Sequence, residues 1–98
     1  MADFRFLPQA EVEFLAQIAY YASIRTELGV RFQNAVARAV RAAAENPAAG
    51  ARRSQNTRRR LVHGFPFGVV YAVRSDGILI IAIADGRRRP DYWTSRLP

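Results

Sequence analysis

Phe67-Gly68-Val69-Val70-Tyr71-Ala72-Val73-Arg74 and Ile78-Leu79-Ile80-Ile81-Ala82-Ile83-Ala84-Asp85, joined by Ser75-Asp76-Gly77, decide the fold of this chain. Asp-Gly between two apolar runs signals a β-hairpin, because both residues tolerate the positive φ of a tight turn. With Asp76 and Gly77 as the turn, Val73 falls opposite Ile80, Tyr71 opposite Ala82 and Val69 opposite Ala84. The other face then carries Val70, Ala72, Leu79, Ile81 and Ile83. Ile78 to Ala84 is apolar on both faces, so this strand belongs in the middle of a sheet covered from both sides.

Upstream, Arg58 to His63 reads as a third strand, closed by Gly64-Phe65-Pro66, and Ala48 to Asn56 as a loop. Before it the period is helical. From Glu27 to Glu45, Phe32, Val36, Ala39, Val40 and Ala43 share one face, while Arg31, Asn34, Arg38, Arg41 and Glu45 share the other. Asn46-Pro47 ends this helix. An earlier helix covers Gln9 to Ala22, with Pro8 in its first turn. Its polar side is Gln9, Glu13, Gln17 and Tyr20; the rest, including Val12, Phe14, Leu15, Ile18, Ala19 and Ala22, is a broad apolar stripe that needs two neighbours. Phe4 to Leu7 is a short first strand. The result is one α+β domain over residues 1–98: an N-terminal strand, a helical hairpin, then a mainly antiparallel three-stranded segment completing a small sheet. Two helices cover one face of that sheet, so the other needs the C-terminal segment or a partner.

The net charge is +7, which favours an anionic partner. All fifteen basic residues are arginine, however, in an alanine-rich chain, which is also what a GC-rich genome encodes. Position therefore has to carry the argument. There is no cysteine, hence no disulfide framework or thiolate metal site, and no metal or cofactor is expected. No apolar run has the ~20 residues of a membrane span. Met1-Ala2-Asp3-Phe4 lacks the basic start of a secretory signal, so a cytoplasmic protein is expected.

The chemistry concentrates in Asp85-Gly86-Arg87-Arg88-Arg89-Pro90-Asp91-Tyr92-Trp93-Thr94-Ser95-Arg96. Arginine forks and aromatic faces suit phosphates and bases, and equally anchor protein interfaces. Arg87, Arg88, Arg89, Tyr92, Trp93 and Arg96 are thus candidate target-binding residues. The bland alternative has Trp93 packing over the open face of the sheet.

These pieces, with Arg60-Leu61-Val62, Phe65-Pro66-Phe67, Ile81-Ala82-Ile83-Ala84 and Arg87-Arg88-Arg89-Pro90 in order, resemble the toxins of the RelE/ParE superfamily, nearest the ParE-like or plasmid stabilisation branch. The resemblance spans nearly the whole chain. It departs at Asp85, where that branch often carries a histidine. It implies a toxin of a type II toxin–antitoxin system, held by a small acidic, ParD-like ribbon-helix-helix antitoxin through which alone the complex would bind DNA. Val12, Leu15, Ile18, Ala19 and Ala22 are the candidate antitoxin-binding residues. ParE-like members poison DNA gyrase, whereas RelE-like members cut messenger RNA on the ribosome. Cutting through a 2′-hydroxyl requires a base, which arginine cannot readily supply. With no lysine present, a nuclease would rest on Arg60, Arg88 and Tyr92, with Asp85 or His63 as base. The gyrase inhibitor is the preferred expectation, and no catalytic residue is assigned. A degenerate inactive toxin and a basic nucleic-acid-binding module are the alternatives.

Overall fold

The computed structural model describes residues 3–97; Met1 and Ala2, part of the stretch read for a secretory signal, lie outside them. Strand β1 (Phe4–Phe6) leads into helix α1 (Pro8–Ile24) and helix α2 (Thr26–Glu45). Four strands follow: β2 (Ala51–Arg53), β3 (Thr57–Leu61), β4 (Phe67–Arg74) and β5 (Gly77–Asp85). They form one sheet in the order β1-β5-β4-β3-β2, antiparallel except for the parallel β1–β5 pair. The α+β architecture and the central place of β5 match the sequence reading.

Helix α2 buries Phe32, Val36, Ala39, Val40 and Ala43 against the sheet, as its periodicity requires, and keeps Arg31, Arg38 and Arg41 in solvent. Helix α1 turns Ala10, Phe14, Ile18 and Tyr21 inward. The helices and the sheet residues Phe67, Val69, Tyr71, Ile78, Ile80 and Ile83 enclose the main core. On the opposite face Val70, Ala72, Ile81, Ala82 and Ala84 form a second apolar layer, roofed by Trp93 with Tyr92 and Leu97. The face that lacked a cover is closed by the chain's own C-terminal segment.

Two features of the sheet differ from the sequence reading, the pairing of β4 with β5 and an extra strand. The hairpin turn is Ser75-Asp76, not Asp76-Gly77: Gly77 already pairs with Arg74, at φ 138°, which glycine alone adopts readily. Further along, the register slips between Val70 and Tyr71, so that Tyr71 faces Ile80 but Val70 faces Ala82. Ile81 is the extra residue of a β-bulge, and Ile81 and Ala82 both face the C-terminal segment. The slip sends Ile83 to the helices and leaves the small Ala84 beneath the tail. The second difference is β2, inside the stretch read as a loop. It is a three-residue edge strand, Ala-Arg-Arg, exposed throughout and without any apolar alternation to announce it.

Candidate functional site

The site begins with a mismatch in strand length. β1 covers β5 only from Ile78 to Ile80, and the Leu7 N–H donates the last backbone bond, 2.9 Å to the Ile80 carbonyl. Pro8 then starts α1, leaving the β5 edge from Ile81 onward without a neighbouring strand. Backbone groups in so enclosed a place need partners. Side chains supply them. The Ile83 N–H donates to Glu13 Oε1 (3.1 Å), and Arg96 Nη1 donates to the Ile81 carbonyl (3.1 Å).

Glu13 and Arg96 also bind each other in a two-pronged ion pair, Nη1 to Oε1 at 2.9 Å and Nη2 to Oε2 at 2.8 Å. Their side chains are only 17% and 16% exposed. Tyr92 donates its hydroxyl to Glu13 Oε2 at 2.6 Å, and Arg88 Nη1 lies 3.5 Å from the same oxygen. The Arg88 guanidinium sits over the Tyr92 ring, 3.7 Å from its centroid. One carboxylate on α1 therefore fastens three residues of the C-terminal segment and one amide of the central strand.

Glu13 was read as part of an outward polar side with Gln9 and Gln17. Ala10, Phe14, Ile18 and Tyr21 set the inward direction instead, and Glu13 stands at the margin of that face. The only signal in the sequence was an acid one residue from Phe14 in a weakly polar helix, which is no signal by itself.

Burial pushes the Glu13 carboxyl upward, but the hydrogen bonds from Arg96 and Tyr92, the Arg96 charge and the Ile83 N–H outweigh it, and the net shift is downward. Burial and the Glu13 hydrogen bond push the Tyr92 hydroxyl well above the ordinary tyrosine range. The signs give a two-sided pH dependence. The carboxylate contribution is complete above the ordinary range of about 4 and is lost as pH falls through the lower folded value. The tyrosine contribution is complete below about 10 and is lost as pH rises beyond it. Amide exchange at Ile83 should be slow and pH-corrected flat from about pH 5 to 9, accelerating on both sides. A flat profile down to the acid unfolding of α2 would show that Glu13 does not hold the segment.

The sequence-predicted residues fall into two groups. Arg87, Arg88 and Arg89 are exposed on the turn after β5. Asp85 holds Arg87 through both carboxylate oxygens, Nε to Oδ1 at 2.9 Å and Nη2 to Oδ2 at 2.8 Å, and these bonds, against slight burial, lower the Asp85 pKa. Trp93 and Arg96, expected to face a target, instead face inward. Trp93 is 3% exposed in the second apolar layer, and Arg96 is committed to Glu13 and Ile81.

Arg60 is not brought to Arg88 and Tyr92. It pairs with Val69, on the helix side of the sheet, whereas its neighbour Arg59 pairs with Val70, on the side of the C-terminal segment. His63 lies in a hollow with Arg31 and Arg38, apart from Tyr92. The trio proposed for a nuclease is thus split across the sheet. Of the antitoxin candidates, Val12 (66% exposed), Leu15 (58%) and Ala19 line the outer side of α1, Ala22 is exposed but stands against Gly29 of α2, and Ile18 packs against the core. Among the described residues no helix is long and apolar enough to cross a membrane, and no three acids or histidines cluster as metal ligands.

A protein-family model described as "ParE toxin of type II toxin-antitoxin system, parDE" matches residues 4–90. The matched stretch holds both helices, all five strands and the arginine turn; Tyr92, Trp93 and Arg96 lie beyond it. No curated protein matches the chain.

Proposed function

The chain belongs to the family of ParE toxins of type II toxin–antitoxin systems, and from that premise we propose that it inhibits DNA gyrase through its arginine turn, without catalysis of its own, until an antitoxin covers it. The observation that carries the non-catalytic reading is the engagement of Glu13, Tyr92 and Asp85 in the contacts that hold the C-terminal segment and the turn. Glu13 is neutralised by Arg96. Tyr92 donates its hydroxyl to Glu13 in a hydrogen bond and lies under Arg88. Asp85 is closed by Arg87. A general base needs a free lone pair within reach of the proton it removes, and these groups spend theirs on holding the segment. A binding inhibitor needs none, only the exposed Arg87, Arg88 and Arg89.

The antitoxin belongs on the outer side of α1. Val12, Leu15 and Ala19 offer an apolar strip of the kind that a helix or extended segment covers. Acidic residues flanking such a segment would meet a toxin of net charge +7. DNA binding by the pair would reside in the antitoxin, and a toxin acting on gyrase works in the cytoplasm.

Expression of the chain alone should arrest bacterial growth, and co-expression of a cognate antitoxin should restore it. Purified chain should block supercoiling by gyrase, and Arg88→Ala/Arg89→Ala should weaken that inhibition about tenfold or more, as loss of charged interface contacts does. Ribosome-dependent cuts in messenger RNA, with supercoiling untouched, would replace gyrase by the ribosome as the target.

A further inference from the structure

A cleft of about 90 Å³ opens on the tail-covered side of the sheet, between β3 and the turn after β5. Four arginines from three segments border it: Arg53 on β2, Arg59 on β3, and Arg88 and Arg89 on the turn. Arg59 is the centre of the arrangement. Its side chain lies flat over Gly68, so closely that a Cβ there would collide with Arg59 Nε. Its Nη2 reaches to 3.6 Å from the position a Cβ would take at Gly86. Gly68 thus makes the seat of this guanidinium, and Gly86 lies beside its far end.

Among the described residues, neither Arg53, Arg59 nor Arg89 has a carboxylate oxygen within 4.0 Å. Asp85 and Asp91 also border the cleft, but Asp85 is occupied by Arg87 and Asp91 makes no ion pair. Burial and the proximity of Arg53 lower the Arg59 pKa, the direction expected where like charges are gathered without a counter-ion. A carboxylate is planar and has two oxygens to offer. A phosphate is tetrahedral and carries enough acceptors for forks arriving from several directions.

We infer that this cleft binds one phosphate group, with Arg53 and Arg59 on the sheet and Arg88 and Arg89 on the turn as its donors. The phosphate is either part of a nucleic-acid backbone or borne by a free anion such as a mononucleotide. The inference rests on the cleft and not on gyrase, and its test involves neither gyrase nor an antitoxin, so the two can fail separately.

The test titrates the purified full chain with inorganic phosphate, a 5′-mononucleotide, a short single-stranded DNA oligonucleotide and a polyglutamate peptide. Calorimetry reads binding, as does the fluorescence of Trp93, the chain's single tryptophan, which borders the cleft. Arg59→Gln should weaken the phosphate-bearing probes about tenfold or more. Arg53→Gln, on an exposed edge strand, should weaken them in the same direction and guards against a folding defect in the first variant. Arg38→Gln removes the same charge from the outer side of α2 and should change affinity less than about twofold. Binding of phosphate and mononucleotide identifies a free anion; binding of the oligonucleotide alone identifies a backbone. No binding of any phosphate probe, equal losses in all three variants, or preference for polyglutamate overturns the inference.

Discussion

Trp93→Ala should destabilise the protein by about 3–5 kcal/mol, the range for deleting a buried large aromatic side chain. Trp93 is the main roof of the second apolar layer, over Val70, Ile81, Ala82 and Ala84. The bulge at Ile81 places the small Ala82 and Ala84 among the residues beneath it, and these cannot swell into the space it leaves. A domain of this size commonly has only about 5–15 kcal/mol in total. The variant should therefore melt at least about 10 °C lower by far-ultraviolet circular dichroism. A loss under about 1 kcal/mol would mean that the C-terminal segment is not seated on the sheet. The same prediction explains why an aromatic beside three arginines need not be a contact residue: its neighbour Tyr92 is half-buried and Trp93 wholly so.

Glu13→Gln should cost about 2–3 kcal/mol. Glutamine keeps the shape of glutamate but presents Arg96 and Tyr92 with a neutral group carrying one acceptor in place of two. Removing one partner of a fully buried ion pair costs about 3–5 kcal/mol, and the slight exposure of this pair reduces the figure. Urea unfolding should show a lower midpoint, and exchange of the Ile83 amide should quicken before global unfolding. The double change Glu13→Leu/Arg96→Met removes both charges but should not recover the loss, because it also strips the Ile83 N–H, the Ile81 carbonyl and the Tyr92 hydroxyl of their partners. An unchanged midpoint with a protected Ile83 amide would exclude Glu13 as the fastening point.

The fold was legible where periodicity and turn chemistry agree. The two faces of α2 could be read residue by residue, and the hairpin from Phe67 to Asp85 as a pair of strands, although Val73, Tyr71 and Val69 pair with Ile78, Ile80 and Ile83 and not with the partners expected. The turn position could not, because Ser75-Asp76 and Asp76-Gly77 both offer plausible turn residues. A bulge leaves no trace in an uninterrupted apolar run such as Ile78 to Ala84. The site was half legible. The exposed arginines announce themselves by charge, whereas Glu13 acquires its meaning from residues 70 to 83 positions away. For Arg59 and Arg60, adjacent and chemically identical, only strand alternation decides which of them borders the cleft.

The parallel β1–β5 pair joins Phe4 to Ile78, and contacts so distant in sequence form late. The helical hairpin and the β4–β5 hairpin are local and can assemble first. Only when β5 has taken its place does β1 have a strand to join, and only then does Glu13 meet its partners on the C-terminal segment. On a translating ribosome, the arginine turn therefore acquires its fixed shape last of all. A chain interrupted before residue 85 would display the outer strip of α1 without the arginine turn.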